Sequence, residues 1–443
     1  MVFYLIIFPY IGVNSKNLDP DEQGFFRVDE KNGRWCFVDP SNNSFYSTGI
    51  GSISSKSGYS PKLGYSEYQQ NILEKYGNEK NWANVTYDRL VEWGFNSLGG
   101  SGPYIKNKGF YYTENLGLAD DNWQEGSTTD FFSDDWIEKV EKKCKKKITN
   151  ISDDSNLIGY FLDNEIRWGS DWRSLLDIFD TYMKMDYDSP GKKRLVEFLK
   201  NKYDNNISRF NLAWRTDFND FEEILYEDNL GLWPYTIEAR SDHNEFLFIV
   251  AEQFFKICHN KIRKYDKNHL ILGCRFSSFV TPRKVVEACK KYVDVVSVNH
   301  YPPNPLILPF TFIAQDILGF TRATDFLQEY YDITKKPVLI SEFYFRARDS
   351  GLPNTKPYRI LMPVLFNQRQ RAMCFELQTR GFLEKPFIVG YHWFGYADQP
   401  KTGRFDGENS NNGLVNVKDE PYTILVNKMK EINHFAHGIV INN

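Results

Sequence analysis

Two glutamates in this sequence stand where carboxylates could do chemistry. Glu165 ends an apolar run that begins at Ile158, and Glu342 ends a second apolar run that begins at Pro337. Burying a carboxylate at the end of an apolar strand costs free energy, so the position indicates a functional role, with a structural ion pair as the alternative. If both side chains reach one pocket, they can supply acid, base or nucleophile to a bound molecule.

Cleavage of a glycosidic bond is one reaction that needs two such groups. One carboxyl protonates the leaving oxygen, and the other works on the opposite face of the sugar ring. A separation of about 5–5.5 Å lets the second carboxylate attack the sugar and gives retention, whereas about 6.5–9.5 Å admits a water and gives inversion. The sequence does not supply this distance.

The elements that position these glutamates follow an α/β pattern. Apolar, β-rich runs alternate with helical patterns along the 443 residues, which predicts a (β/α)8 TIM barrel. Glu165 and Glu342 would end strands four and seven, on the face where such barrels place catalytic groups. The eight predicted strands lie near residues 45–51, 95–99, 109–116, 157–165, 269–276, 293–300, 337–344 and 387–394.

Two additions to the barrel are predicted. Residues 33–40 and 44–51 flank a short turn and indicate an N-terminal β-hairpin, and residues 170–267 hold more helix than one crossover needs, which predicts a helical insertion after strand four. Residues 1–20 form an apolar segment too short to span a bilayer, either the remnant of an export signal or a packed strand. Residues 21–443 are expected to form one domain. Localisation stays open between secreted, periplasmic and cytoplasmic.

Composition argues against several classes of protein. The net charge is -4 and the pI is about 6.1, which disfavours a nucleic-acid partner. The six cysteines form no C-x-x-C pair, the seven histidines are scattered, and no phosphate-binding glycine loop is present. We therefore expect no metal and no cofactor. The sequence does not indicate an oligomeric state.

The setting of the two glutamates resembles the retaining clan A glycoside hydrolases. Asn164 precedes Glu165 at the end of strand four, and Glu342 ends strand seven. In that clan an Asn-Glu pair provides the acid/base and the later glutamate is the nucleophile. The resemblance implies these roles for Glu165 and Glu342. It also implies that Asn164 hydrogen-bonds the sugar 2-hydroxyl, a bond that strengthens towards the transition state.

Longer segments resemble narrower families. The run HWFGYADQPKTGRFDGEN within residues 390–422 resembles the family 50 β-agarases, whose pattern reads H-W-F-Q-Y-x-D-Q-P-x-T-G-R-x-D-G-E-N, and residues 341–355 resemble the nucleophile loop of agarase-like proteins. The resemblance extends over roughly residues 33–422. Residues 193–218 resemble a family 42 β-galactosidase pattern, with matches at Leu199, Lys202, Tyr203, Asn211, Ala213, Trp214, Thr216 and Phe218.

Further residues at strand ends are candidates for binding sugar. Trp393 ends strand eight and is expected to form a platform under the reactive sugar, as in the clan, with a core tryptophan as the alternative. Tyr301 follows strand six, where the clan often has a tyrosine bonded to the nucleophile. Of its neighbours Asn299 and His300, one is expected to face the cleft. Arg275 ends strand five, where its charge would hold the nucleophile ionised or form a structural salt bridge.

The remaining candidates lie at the end of one strand and in one loop. Asn96 is expected to end strand two. The loop after strand eight resembles the agarase pattern, and its polar side chains are expected to hydrogen-bond sugar hydroxyls. These residues are Asp398, Gln399, Arg404 and Glu408.

Three functions follow from these observations. The first is a retaining hydrolase that cleaves β-galactosidic linkages in agarose-like or related algal galactans. The second is a β-galactosidase for small oligosaccharides. The third is an inactive carbohydrate-binding barrel, which the presence of both glutamates disfavours. The expected partner in each case is an oligosaccharide or polysaccharide.

Overall fold

A computed structural model describes residues 24–101, 103–106, 108–122, 124–231, 236–301, 326–356 and 362–441. Within these ranges the chain forms strands and helices in alternation. The strands are β1 (Arg27–Lys31), β2 (Arg34–Val38), β3 (Ser44–Phe45), β4 (Ser47–Ile53), β5 (Tyr59–Ser60), β6 (Tyr65–Ser66), β7 (Ser97–Ser101), β8 (Tyr111–Asn115), β9 (Leu157–Phe161), β10 (Leu270–Ile271), β11 (Phe276–Ser277), β12 (Val296–Asn299), β13 (Val338–Phe343), β14 (Arg346–Ala347), β15 (Val364–Leu365) and β16 (Ile388–Phe394).

The central sheet is parallel and curled. Its strand order is β10-β9-β8-β7-β4-β16-β13-β12-β11. The two edge strands, β10 and β11, are neighbours in the chain. The backbone between them forms hydrogen bonds with the segment after β9 on one side and with β12 on the other: Leu162 N donates to Gly273 O at 2.8 Å, and Arg275 N donates to Ser297 Oγ at 2.8 Å. The chain therefore has a TIM-barrel-like α/β fold, and each segment predicted as a barrel strand overlaps a strand of this sheet.

Helices cover the outside of the sheet, and most begin at a side chain that caps the first turn. Ser133, Asn206 and Thr236 each accept a hydrogen bond from a backbone N–H of the helix that they precede. In the part of the chain that the structure describes, no helix combines the length and the apolar character that a membrane span requires. The α-helices are Glu67–Tyr76, Glu79–Glu92, Pro103–Lys106, Asp134–Ile148, Ile178–Met183, Pro190–Lys202, Ile207–Trp214, Ile237–Tyr265, Arg283–Cys289, Phe326–Thr334, Gln368–Glu384 and Thr423–Ile441.

The N-terminal strands fill one end of the barrel. β1, β2 and β3 form an antiparallel sheet, and Phe26, Phe37 and Phe45 pack with Leu339 and Val389 from the barrel strands. These apolar side chains occupy the end where the parallel strands begin. The two glutamates selected from the sequence lie at the opposite end, where the strands finish. The predicted apolar segment 1–20 lies outside the described residues.

A buried histidine occupies the barrel interior above this apolar layer. A Cβ on Gly49 would lie 2.2 Å from His392 Cδ2, so only glycine leaves room for the ring. His392 Nε2 and Ser47 Oγ are hydrogen-bonded at 2.9 Å. Burial, with the nearby charge of Arg275, lowers the pKa of His392 to about 3, so the ring is neutral.

Candidate active site

Glu165 lies four residues beyond the end of β9 and is almost fully buried. Its backbone has φ 50°, in the left-handed region that non-glycine residues seldom adopt, and its side chain is 8% exposed. Asn299 Nδ2 donates to Glu165 Oε1 at 3.0 Å. Burial, together with the charge of Glu342, raises the pKa of Glu165 to about 7. Glu165 can therefore keep a proton near neutral pH.

Glu342 lies near the end of β13 with both carboxylate oxygens bonded. Arg275 Nη2 donates to Oε2 at 2.6 Å, and the Tyr301 hydroxyl donates to Oε1 at 2.5 Å. The Arg275 and Glu342 side chains are 15% and 13% exposed, so water screens this ion pair only partly. These two donors orient the Glu342 carboxylate and stabilise its charge.

Arg275 and Asn299 connect the two glutamates. The Arg275 carbonyl accepts from Glu165 N at 3.3 Å while its guanidinium binds Glu342. Arg275 also has a left-handed backbone, with φ 50°. Asn299 donates to Asn164 Oδ1 at 3.1 Å as well as to Glu165, and it accepts from Ser341 Oγ at 2.8 Å. The structure thus brings Asn164, Asn299, Tyr301 and Arg275 together around the carboxylates.

Arg173 is part of this site although no motif or pattern in the sequence selects it. Its Nη1 donates to the Glu165 carbonyl at 2.9 Å, and its Nε and Nη2 bind Asp171 Oδ2 at 2.9 and 2.6 Å. The positive charge of Arg173 partly offsets the rise in the pKa of Glu165. A single arginine in a loop carries no periodic or motif signal, so only the folded loop reveals this contact.

Three residues of the loop after β16 form a polar cluster near Glu342. Gln399 Nε2 donates to Glu408 Oε2 at 2.6 Å, and Arg404 Nη2 lies 2.9 Å from the same oxygen. Burial raises the pKa of Glu408, and the charge of Glu342 adds to the rise. Glu408 therefore lies within electrostatic reach of Glu342, and the binding of sugar by Gln399, Arg404 and Glu408 stays a prediction.

Asp398, in the same loop, has a structural environment instead. It is buried, and its carboxylate accepts hydrogen bonds from Asn411 Nδ2, Gly413 N and the Tyr422 hydroxyl at 2.5–3.2 Å. Burial raises its pKa to about 6. The expectation that Asp398 grips a sugar hydroxyl is corrected, because its oxygens already hold the loop together.

Trp393 packs in the layer between the barrel and its helices. It is 1% exposed, its ring contacts Phe343 and Phe375 at centroid distances of 5.4 and 5.9 Å, and its Nε1 donates to Asn412 O at 2.9 Å. The expected platform role is therefore corrected in favour of the core alternative. The next residue, Phe394, is partly exposed and lies under Arg404, whose guanidinium is 5.6 Å from the ring centroid.

His300 also faces away from the carboxylates. Its ring stacks on Phe326 at 5.2 Å and meets the edge of Phe382, and burial lowers its pKa to about 4. Of the pair Asn299 and His300, the asparagine is the residue that faces the cleft. Successive residues of a strand point to opposite faces, so only one of the two could do so.

Asn96 lies at the other end of the barrel. It precedes β7, where its amide oxygen accepts from Thr48 N at 2.9 Å and its Nδ2 donates to Tyr46 O at 2.9 Å. Its Nδ2 is also 3.0 Å from His437 Nε2 of the C-terminal helix. The expectation that Asn96 ends strand two and binds substrate is corrected: it ties the start of that strand to its neighbours.

One group of potential metal ligands occurs in the described part of the chain. Asp177, Asp180 and His243 place ligand atoms within 4.8 Å of one another. The His243 ring stacks on Phe179 at 4.2 Å, and its Nδ1 is 2.6 Å from Asp177 Oδ2. The other oxygen of Asp177, Oδ1, caps the helix Ile178–Met183. These contacts indicate a structural role in the helical region between β9 and β10.

The raised pKa of Glu165 predicts a pH-dependent gain in stability for Glu165→Gln. The folded-state pKa of about 7 lies above the ordinary value of 4.5, so Glu165 contributes stability that is full below pH 4.5 and is lost as pH rises to about 7. Glutamine keeps an oxygen that accepts the hydrogen bond from Asn299. Because glutamine does not ionise, the variant does not lose this stability as pH rises. The free energy of unfolding of the variant should therefore gain on the wild type by up to about 3 kcal/mol between pH 4.5 and 7.

Chemical denaturation at several pH values measures this difference. The control is Glu74→Gln, on the exposed face of the helix Glu67–Tyr76. A difference between Glu165→Gln and the wild type that stays constant from pH 4.5 to 8 would contradict the raised pKa.

The chain has recognisable relatives, although no family model matches it. It is 27% identical to Beta-agarase B from Vibrio sp. (strain JT0107) over 93% of its length, and 26% identical to Beta-agarase A of the same organism over 92%. The matches cover 48% and 45% of those proteins, so the chain spans about half the length of the curated relatives it matches.

Solved structures also include proteins similar to this chain. The chain superimposes on an agarase, AgWH50C, with a TM-score of 0.77 and 26% identity, over 94% of this chain and 66% of that one. It superimposes on PfGH50B with a TM-score of 0.79 and 25% identity, over 96% of this chain and 68% of that one. The chain is thus agarase-like in both sequence and fold over nearly all of its own length.

Proposed function

We propose that this chain is a retaining glycoside hydrolase that cleaves β-galactosidic linkages in agarose-like or related algal galactans. The observation that carries the proposal is the pair of glutamates that Arg275 and Asn299 connect, one with a raised pKa and one held by two donors. The names of the Vibrio relatives support an agarose-type substrate. In this proposal a barrel of eight strands, interrupted in its fifth at residues 272–275, positions the pair. The N-terminal hairpin and the helices between β9 and β10 are additions to a single domain spanning residues 21–443.

The proposed reaction has two steps. In the first, Glu342 attacks the anomeric carbon while Glu165 gives its proton to the leaving oxygen, so the glycosidic bond breaks and a glycosyl-enzyme ester forms. In the second, Glu165 takes a proton from water as that water attacks the anomeric carbon and releases Glu342.

The environments of the two carboxyl groups suit these different roles. Glu165 is buried beside another carboxylate, so it holds a proton near neutral pH and can act as the acid. Once Glu342 is esterified its charge is gone, which lowers the pKa of Glu165 and prepares it to act as the base. Asn164 and Asn299 are the residues proposed to hydrogen-bond the reactive sugar.

Product stereochemistry tests the proposal. The protein is incubated with agarose and with agarose-derived oligosaccharides, and the first product is followed by NMR before its anomers equilibrate. A new reducing end in the β configuration is expected. An initial α anomer would contradict retention, and binding without release of product would favour the inactive carbohydrate-binding alternative.

A further inference from the structure

The loop that follows Glu165 is held rigidly by a buried arginine. Arg167 is 3% exposed, and its side chain has five N–H groups. Every one of its nitrogens donates to this loop or to its neighbours, so these hydrogen bonds anchor a segment without regular structure. The acceptors are Gly126 O, Gly169 O, Leu176 O, Thr128 Oγ1 and Thr181 Oγ1.

An exposed tryptophan projects from this rigid loop. Trp172 is 53% exposed, and it is the one tryptophan among the exposed large apolar side chains of the described residues. The guanidinium of Arg173 lies 4.7 Å from the Trp172 ring centroid. Arg173 also bonds to the Glu165 carbonyl and to Asp171. Arg173 therefore contacts both the Trp172 ring and the backbone of Glu165.

A fixed, exposed aromatic ring can bind a sugar at little entropic cost. Aromatic side chains bury a large apolar area, and a preorganised group loses little freedom when its ligand arrives. The apolar C–H face of a pyranose ring is a suitable partner for such a surface.

We propose that Trp172 is the platform for a sugar ring on the leaving-group side of the scissile bond. This inference rests on the proposed function, in which Glu165 protonates the leaving oxygen. The sugar attached to that oxygen must then lie on the Glu165 side of the site, where Arg173 places Trp172. The platform favours substrates whose leaving group is itself a sugar chain.

Two substrates with different leaving groups separate this role from others. The first is an agarose-derived hexasaccharide, whose leaving group is an oligosaccharide. The second is β-galactosyl fluoride, whose leaving fluoride has no ring to stack on tryptophan. Trp172→Ala is expected to raise KM for the hexasaccharide about tenfold, with at least a fivefold smaller effect on the fluoride. Trp172→Phe should recover most of the loss.

Phe435→Ala is the matched control. Phe435 is 51% exposed on the helix Thr423–Ile441 and packs beside Arg380. It should leave both substrates within twofold of the wild type.

Two outcomes of the kinetic comparison overturn the inference. An equal effect of Trp172→Ala on both substrates means that the ring supports Glu165 instead of binding sugar, and no effect on either means that it binds nothing. If the wild type turns over neither substrate, the proposed function fails. Calorimetric binding of the hexasaccharide to wild type and Trp172→Ala then tests the platform directly, and equal affinities would overturn it.

Discussion

Glu342→Ala is expected to lower kcat/KM for a galactan oligosaccharide by about 10⁴-fold or more, because no other group can form the glycosyl-enzyme. Both oxygens of Glu342 are bonded in the site, by Arg275 and Tyr301, so its removal leaves a space bordered by two donors. Azide, a small anion, fits the chemistry of that space. With β-galactosyl fluoride as substrate, azide should restore turnover and give the α-galactosyl azide, because it attacks from the face that Glu342 occupied.

Glu165→Ala separates the two roles. This variant keeps Glu342, so a substrate with a good leaving group still forms the glycosyl-enzyme, and azide then attacks from the opposite face. The β-galactosyl azide is expected. Mass spectrometry and NMR identify both adducts.

The configurations of the adducts decide the assignment. If they were exchanged between the two variants, the roles of Glu165 and Glu342 would be reversed. If both variants kept wild-type activity without azide, the proposed site would be wrong. Glu74→Ala, on an exposed helix face, should remain within twofold of the wild type.

The sequence revealed the catalytic candidates because a charged side chain at the end of an apolar strand is a strong signal. Glu342 ends such a run, and the structure places it beside Arg275, selected by the same argument, and Tyr301, selected by the resemblance to the clan. Glu165 was also found, although its strand stops at Phe161. The backbone beyond that point still follows its neighbour, because Glu165 N bonds to Arg275 O.

The orientation of individual side chains was harder to predict. The sequence selected Trp393 as a platform, but a shift of one residue along a strand moves a side chain to the opposite face. The pairing of β13 with β16 contains two such irregularities. The sequence pattern does not show irregularities of this kind, so Trp393 and Phe394 could not be distinguished.

Loops set a second limit. The agarase-like pattern selected Asp398 and Glu408 alike, yet one holds the loop and the other lies near Glu342. A motif reports that a residue type is needed but not whether it contacts substrate or backbone. Arg173 and Trp172 belong to no motif, and their contacts with Glu165 and with each other arise only from the fold of their loop.

Arg275→Met is expected to lower kcat/KM by about 10²-fold while the protein stays folded. The guanidinium lies 2.6 Å from Glu342 Oε2 in a site with little water, where a preorganised donor has a large effect on a reacting charge. Methionine fills a similar volume, so the loss should come from the missing charge and donor.

Arg275→Lys provides the matched comparison. Lysine keeps the charge but lacks the planar guanidinium, whose Nη2 donates to both Glu342 Oε2 and the Ser341 carbonyl. We expect it to recover only part of the activity. The alternative from the sequence was a structural salt bridge, and that alternative predicts a different pattern: thermal stability would fall in Arg275→Met, while kcat/KM measured well below the unfolding temperature would be close to the wild-type value. The two interpretations differ because a structural ion pair acts on the population of folded protein, whereas Arg275 acts on the charge of Glu342 during each turnover.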